Sequence, residues 1–194
     1  MHGSEKHLKA LAAKARKADI IVCAGDFTVF ENKILPIMRK LDAIGKPVML
    51  VNGNHEDPLL VAEICRKLKN TKQLHWKIYS DESFPSYAFV GHGGEGFDPV
   101  SEDFERFNRK IASRLQQLRK EKKKIVFITH QPPHNTKVDF IWNHHGSKSY
   151  AKFDRKIQPV LHVCGHLHET QGKKDRIGKT IVINPGPKGE VVEV

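Results

Sequence analysis

Histidine is the side chain best suited to holding a transition metal or moving a proton near neutral pH, and this chain carries 12 of them. Two stand close together in Val163-Cys164-Gly165-His166-Leu167-His168. That stretch follows a run that reads as a buried strand, and alternate residues of an extended segment point the same way. His166 and His168 are therefore expected to present two imidazoles to one small volume at the strand's carboxyl end, where open α/β sheets place their ligands. Four more polar clusters fall at strand ends or at the chain start: His2, Gly25-Asp26, Gly53-Asn54-His55-Glu56 and His130. Together they offer imidazoles, a carboxylate and an amide oxygen. A mixed N/O set of this kind suits divalent Mn, Fe, Ni or Zn better than Ca or Mg. The candidates exceed the four ligands of one tetrahedral zinc, so two ions are the more economical reading. Two ions about 3.5–4 Å apart can hold both ends of a phosphoryl displacement, and they need a shared carboxylate. Asp26 is the natural bridge.

The elements that must position these residues alternate from the start. Ser4 caps a helix whose apolar side is Leu8, Leu11, Ala12 and Ala15. A strand over 19–24 delivers Asp26, a helix over 33–43 stops before Gly45 and Pro47, and a strand over 47–51 delivers Asn54 and His55. Asp57-Pro58 opens the next helix, because proline is tolerated in the first turn. This rhythm predicts parallel strands joined by crossover helices. The middle changes character. Strands over 76–79 and 87–90 follow each other without a helix, and Gly91-His92-Gly93-Gly94-Glu95-Gly96 is a flexible loop with no phosphate-cradling spacing. Ser101 caps a long helix carrying Phe104, Phe107, Ile111, Leu115 and Leu118 on one face. The strand over 125–129 ends in His130, Ser147 caps a helix to Ile157, and the strand over 159–164 delivers the histidine pair. The tail predicts antiparallel strands over 171–176, 180–184 and 190–194.

At 194 residues the chain is long enough for one domain, 1–194, with a real core. No run of eighteen apolar residues predicts a membrane span, and no charged n-region with an apolar h-region opens the chain. Cys23, Cys65 and Cys164 are not spaced as a zinc knuckle or redox pair; Cys23 and Cys164 lie in apolar strand-like runs, so buried thiols in a reducing cytoplasm are expected there. The net charge of +11 favours anionic partners such as nucleotides or nucleic acid. The densest run, Arg119-Lys120-Glu121-Lys122-Lys123-Lys124, falls at a helix end, where cations suit the dipole and need no ligand. No aromatic stacking platform is evident for bases, and Trp142 reads as a hydrophobic plug.

The ordered set Gly25-Asp26, Gly53-Asn54-His55-Glu56, His130 and Gly165-His166-Leu167-His168 resembles the calcineurin-like metallophosphoesterases. Thr129-His130-Gln131-Pro132-Pro133 and His145-Gly146-Ser147-Lys148 look most like the small prokaryotic phosphoesterases of that superfamily. The resemblance implies an α/β (α+β) fold, a β-sandwich flanked by helices. It implies two divalent metal ions, one held by His2, Asp26 and His168 and the other by Asp26, Asn54, His130 and His166. His55 would stand near the leaving group as proton donor and charge stabiliser, with a metal-activated hydroxide attacking phosphorus directly. His134 and His145 fall in loops expected to border the substrate.

One departure accompanies the match. The family's first motif is Asp-x-His-Gly at the end of an opening strand, and Met1-His2-Gly3 matches only its last three positions. The expectation is a chain lacking the first strand and its aspartate, with one metal site weakened, sheet edges exposed, and stability or homo-oligomer assembly affected. The second reading this raises is a non-catalytic protein-interaction scaffold. A DNA-repair nuclease ranks below both, since those enzymes usually carry further domains.

Overall fold

The computed structural model describes residues 3–194. In chain order the elements are α1 (Glu5–Ala15), β1 (Ile21–Cys23), α2 (Ile34–Asp42), β2 (Val48–Leu50), α3 (Pro58–Arg66), β3 (Thr71–Gln73), β4 (Lys77–Tyr79), β5 (Tyr87–His92), α4 (Glu102–Lys120), β6 (Lys124–Thr129), β7 (Phe140–Ile141), β8 (Asn143–His144), α5 (Lys148–Ile157), β9 (Leu161–Val163), a 3₁₀ turn (His168–Thr170), β10 (Lys174–Ile177) and β11 (Thr180–Ile183). The expected caps are in place. Ser4, Asp57 and Ser101 each accept a bond from a backbone N–H of the first helical turn, at His7, Leu60 and Phe104. Ser147 occupies the cap position of α5 without making that bond; the turn is anchored instead by Lys148 N–H donating to Pro99 O at 2.8 Å.

Two sheets form. Strands β1, β2 and β3 pair in parallel, in that order, joined by α2 and α3. The second sheet has the order β10-β11-β9-β6-β5-β4, parallel through β11, β9, β6 and β5 and antiparallel at both margins. Successive side chains of a strand face opposite ways, and the core obeys this in detail. Val48 and Leu50 of β2 pack with α2 and α3, beside Ile37, Met38, Leu41 and Val61, while Met49 and Val51 face the other sheet. In β6, Val126 and Ile128 face the first sheet, and Ile125 and Phe127 pack under α4 and α5 with Phe104, Leu115 and Phe153. The layers therefore run helix, sheet, sheet, helix. Both sheets are buried on two faces, and truncating a fully buried ring such as Phe127 would cost about 3–5 kcal/mol.

Three expectations need correction. The tail over 190–194 forms no strand: its backbone pairs with neither sheet, Val191 and Val194 are exposed, and only Val192 reaches the inter-sheet core. Trp142 is no plug, because it tips the β7–β8 hairpin with φ 61° and is 90 % exposed. Sequence periodicity also missed β3, whose three residues Thr-Lys-Gln lack an apolar signal and are placed by pairing with β2. The strand β1 lies at the margin of its sheet, and a cleft of about 500 Å³ opens beside it, lined by Ile20, Val22, Phe89, Val163 and Val192 among others. Among the described residues no helix is long and apolar enough to cross a membrane.

Candidate metal centre

The loops after β1, β2, β6 and β9 meet at the carboxyl ends of both sheets. The first two touch backbone to backbone. A Cβ on Gly25 would lie 2.5 Å from Gly53 N, and a Cβ on Gly53 would lie 2.5 Å from Asp26 N and collide with Asp26 Oδ1. Only glycine permits that approach. Gly25 also has φ 86°, and Asp26 itself is left-handed at φ 48°. Non-glycine residues rarely adopt this region, and such strain persists only where the surroundings over-determine it.

The group that over-determines it is Glu56. Its carboxylate is buried, with Oε2 accepting from Asp26 N at 3.0 Å and Gly53 N at 2.8 Å, and Oε1 accepting from Thr28 N at 2.9 Å and Thr28 Oγ1 at 2.7 Å. One side chain thus staples both loops. The sequence motif contained Glu56 but gave it no role, because nothing local says that it folds back across 30 residues to Asp26.

His130 ends β6. Its Nδ1–H donates to the Ala24 carbonyl at 2.7 Å, since a carbonyl can only accept, and this leaves Nε2 bare. A backbone carbonyl on the far nitrogen is the usual orienting partner of a metal-bound histidine. Around that bare edge stand Asn54 Oδ1 at 2.9 Å, His166 Nδ1 at 3.2 Å and Asp26 Oδ1 at 3.4 Å. Asn54 Oδ1 is also 3.2 Å from His166 Nδ1. Burial, followed by the neighbouring His130, pulls His166 down to about 4, so it is neutral near pH 7 and able to offer a nitrogen lone pair to a metal. Ligand atoms of Asp26, His130 and His166 all lie within 4.8 Å of one another. Lone pairs of converging acceptor atoms repel one another, and a divalent cation at their centre turns that repulsion into coordination. The residues present fit such an ion.

The other sequence candidates have different surroundings. His55 donates its backbone N–H to Asp26 Oδ1 at 3.4 Å, its ring meets Phe30 edge-on at 4.5 Å between centroids, and it is close enough to weigh on His166 electrostatically. His168 is exposed on the 3₁₀ turn and outside the Asp26–His130–His166 group, though it too weighs on His166. The expected strand alternation between His166 and His168 is not what places them. The strand β9 stops at Val163, His166 is left-handed at φ 64°, and Leu167 N–H closes a tight turn onto Gly165 O at 2.8 Å. His2 lies outside the described residues. His134 faces Asp139 at 3.6 Å and the ring of His144, while His145 donates to Ile141 O and meets Phe97. The buried Asp139 organises that whole loop, accepting from Asn135 N, Thr136 N, Gly146 N and His144. His92, expected in a flexible loop, is instead the last residue of β5, paired with β6 and buried against Tyr150 and Phe104.

The family model described as calcineurin-like phosphoesterase matches residues 1–170. The chain belongs to the calcineurin-like phosphoesterases. Among relatives of this phosphoesterase, an uncharacterized protein of Methanocaldococcus jannaschii, MJ1162, is 32 % identical over 183 residues, covering 90 % of this chain and 80 % of its own. Two solved structures share the phosphoesterase's fold. TT1561 of Thermus thermophilus aligns with TM-score 0.75 at 18 % identity, over 96 % of this chain and 86 % of that one. A dimetal phosphatase from Danio rerio aligns with TM-score 0.64 at 16 % identity, over 96 % of this chain and 79 % of that one. The helix–sheet–sheet–helix layering described above is this family's fold, and family membership implies metal-dependent phosphoester hydrolysis with divalent ions as cofactors.

Proposed function

We propose that this phosphoesterase cleaves phosphodiesters or phosphomonoesters at a two-metal centre. Asp26, Asn54, His130 and His166 would hold one ion, and Asp26, His2 and His168 would hold the second. The observation that carries the reading is the convergence of acceptor atoms on His130 Nε2. When bound, divalent ions of the Mn, Fe, Ni or Zn type supply neutralising charge for the phosphoryl group and make a water acidic near neutral pH. The chain's own residues then do the following. Glu56 fixes the Asp26 backbone so that its carboxylate faces His130, and the Ala24 carbonyl keeps His130 Nε2 free of hydrogen. His55, the residue after Asn54, would give a proton to the departing oxygen. The net charge of +11 draws anionic esters toward the centre.

The test is hydrolysis of bis(p-nitrophenyl) phosphate with Mn²⁺ by the chain and by its His55→Ala variant. Turnover that needs metal and falls roughly 10²- to 10⁴-fold in the variant, with metal binding retained, supports the reading. Equal turnover in the two proteins, or none in either, overturns it. The second outcome would leave the interaction-scaffold reading in its place.

A further inference from the structure

Two phenylalanines border the candidate centre with their rings in water. Phe30 is 77 % exposed and meets His55 edge-on at 4.5 Å. Phe97 is 63 % exposed and meets His166 edge-on at 4.6 Å and His145 at 6.0 Å. A lone exposed apolar residue is ordinary. Here each ring touches a histidine of the site, and each is fixed by the backbone beneath it. Phe30 is left-handed at φ 45° and Glu31 at φ 62°, an unfavourable pair for side chains of their size. Their turn is closed by Asn32 N–H onto Val29 O at 3.0 Å and tied to the start of α3 by Asp57 N–H onto Glu31 Oε1 at 2.6 Å.

Phe97 is fixed as firmly. Its loop is pinned to the β2 loop by Gly94 N–H onto Asn52 O at 2.9 Å. Glu95 accepts from Ser101 Oγ and from the buried Tyr150 hydroxyl, the latter at 2.6 Å. Gln131, next to His130, donates to Asp98 O at 3.1 Å. Gly96 lies so close to the His166 ring that a Cβ there would sit 3.0 Å from Cε1. The fold thus holds two flat apolar faces beside a centre otherwise made of polar acceptors, both exposed among the described residues.

We propose that Phe30 and Phe97 are specificity residues that pack against planar rings on the organic arms of a phosphodiester, so that the substrate is an aryl or nucleobase-bearing diester rather than an alkyl one. The inference rests on the phosphoesterase reading for the position of the phosphate. Ring stacking is tolerant of ring identity, which suits recognition of a class rather than of one base. The sequence offered no platform because the two rings are 67 positions apart and neither sits in an aromatic cluster.

The experiment is calorimetric titration of the Mn²⁺-loaded chain with diphenyl phosphate and with diethyl phosphate, on the natural protein, on Phe30→Ala and Phe97→Ala, and on a double variant carrying Phe30→Met and Phe97→Met, which keeps apolar bulk but removes the rings. Diphenyl phosphate is expected to bind about tenfold or more tightly than diethyl phosphate to the natural chain. Each alanine variant should lose at least threefold of that preference, and the double methionine variant most of it. Equal affinities in the natural chain, binding of neither ligand, or an unchanged preference in the double variant overturns the inference. Turnover of bis(p-nitrophenyl) phosphate without ring preference leaves the phosphoesterase reading standing. Ring preference without turnover does the reverse.

Discussion

His130 Nε2 and His166 Nδ1 face each other across 3.2 Å, with Asn54 Oδ1 within hydrogen-bond distance of both. Each of these atoms, like Asp26 Oδ1 beside them, carries a lone pair that a cation among them can accept. That makes the first prediction. Adding Mn²⁺ to metal-free protein should raise its thermal midpoint, with a stabilisation of about 2.7 kcal/mol at a hundredfold excess over Kd. His166→Ala should remove most of the shift, since losing a ligand costs more than the roughly 10–100-fold in affinity that losing an orienting partner does. Differential scanning calorimetry with and without metal reads this directly. A variant that keeps the full shift would place the ion elsewhere.

Glu56 is predicted to matter as much as any ligand without touching the ion. In Glu56→Gln the amide NH₂ must face one of the backbone N–H groups of Asp26, Thr28 or Gly53, which leaves buried donors unpaired. The expected loss is roughly 2–4 kcal/mol in urea unfolding, with weaker metal binding alongside. Stability equal to that of the natural chain would show that the staple is dispensable.

The contact of Gly53 with Asp26 predicts a different pattern. Gly53→Ala forces Asp26 Oδ1 aside. The methyl also meets the Asp26 backbone N, so unfolding free energy should fall by about 1–3 kcal/mol as the loops shift. Metal affinity should fall by more than tenfold, since the displaced oxygen is the one facing His130. Parallel metal titration and denaturation separate the two effects, and a loss confined to stability would argue against Asp26 as a ligand.

Acid should destabilise the fold through His92 and His75. Burial, then the neighbouring His75, holds His92 down to about 3, and burial holds His75 to about 4. His92 pairs with the Tyr150 hydroxyl, and His75 accepts the Gly93 N–H through Nδ1, which suits the neutral ring. In the unfolded chain both titrate near 6.5. Below that pH the unfolded state takes up protons that the folded state refuses, so this contribution is fully present above about 6.5 and is lost as pH falls toward 4. For His92 it amounts to on the order of 3 kcal/mol by pH 4. His92→Leu should flatten the acid limb of a stability-against-pH curve, whatever it does at pH 8. An unchanged limb would assign acid lability to other groups.

The layers and the supply of chemistry are written in the local sequence. Period-two burial in 48–51 and 125–128 fixed which residues face each sheet side, helix caps fixed where crossovers begin, and polar residues at strand ends put Asp26, Asn54, His55, His130 and His166 near one edge. These are local properties, set by the repeat of the backbone and by which side chains leave water. Which atoms converge was settled by long-range contacts. His166 reaches Asn54 across 112 positions and His130 reaches Ala24 across 106. The direction of each donor depends on the left-handed turns at Asp26 and His166, on Gly25 and Gly53 allowing two loops to touch, and on Glu56 bonding the pair together. The unpaired tail over 190–194, the exposed Trp142, and Phe30 and Phe97 beside the histidines were likewise set by partners distant in sequence. Hydrophobic periodicity reports whether a residue is buried, whereas a site depends on where a loop residue points, and that is fixed by contacts the local sequence does not contain.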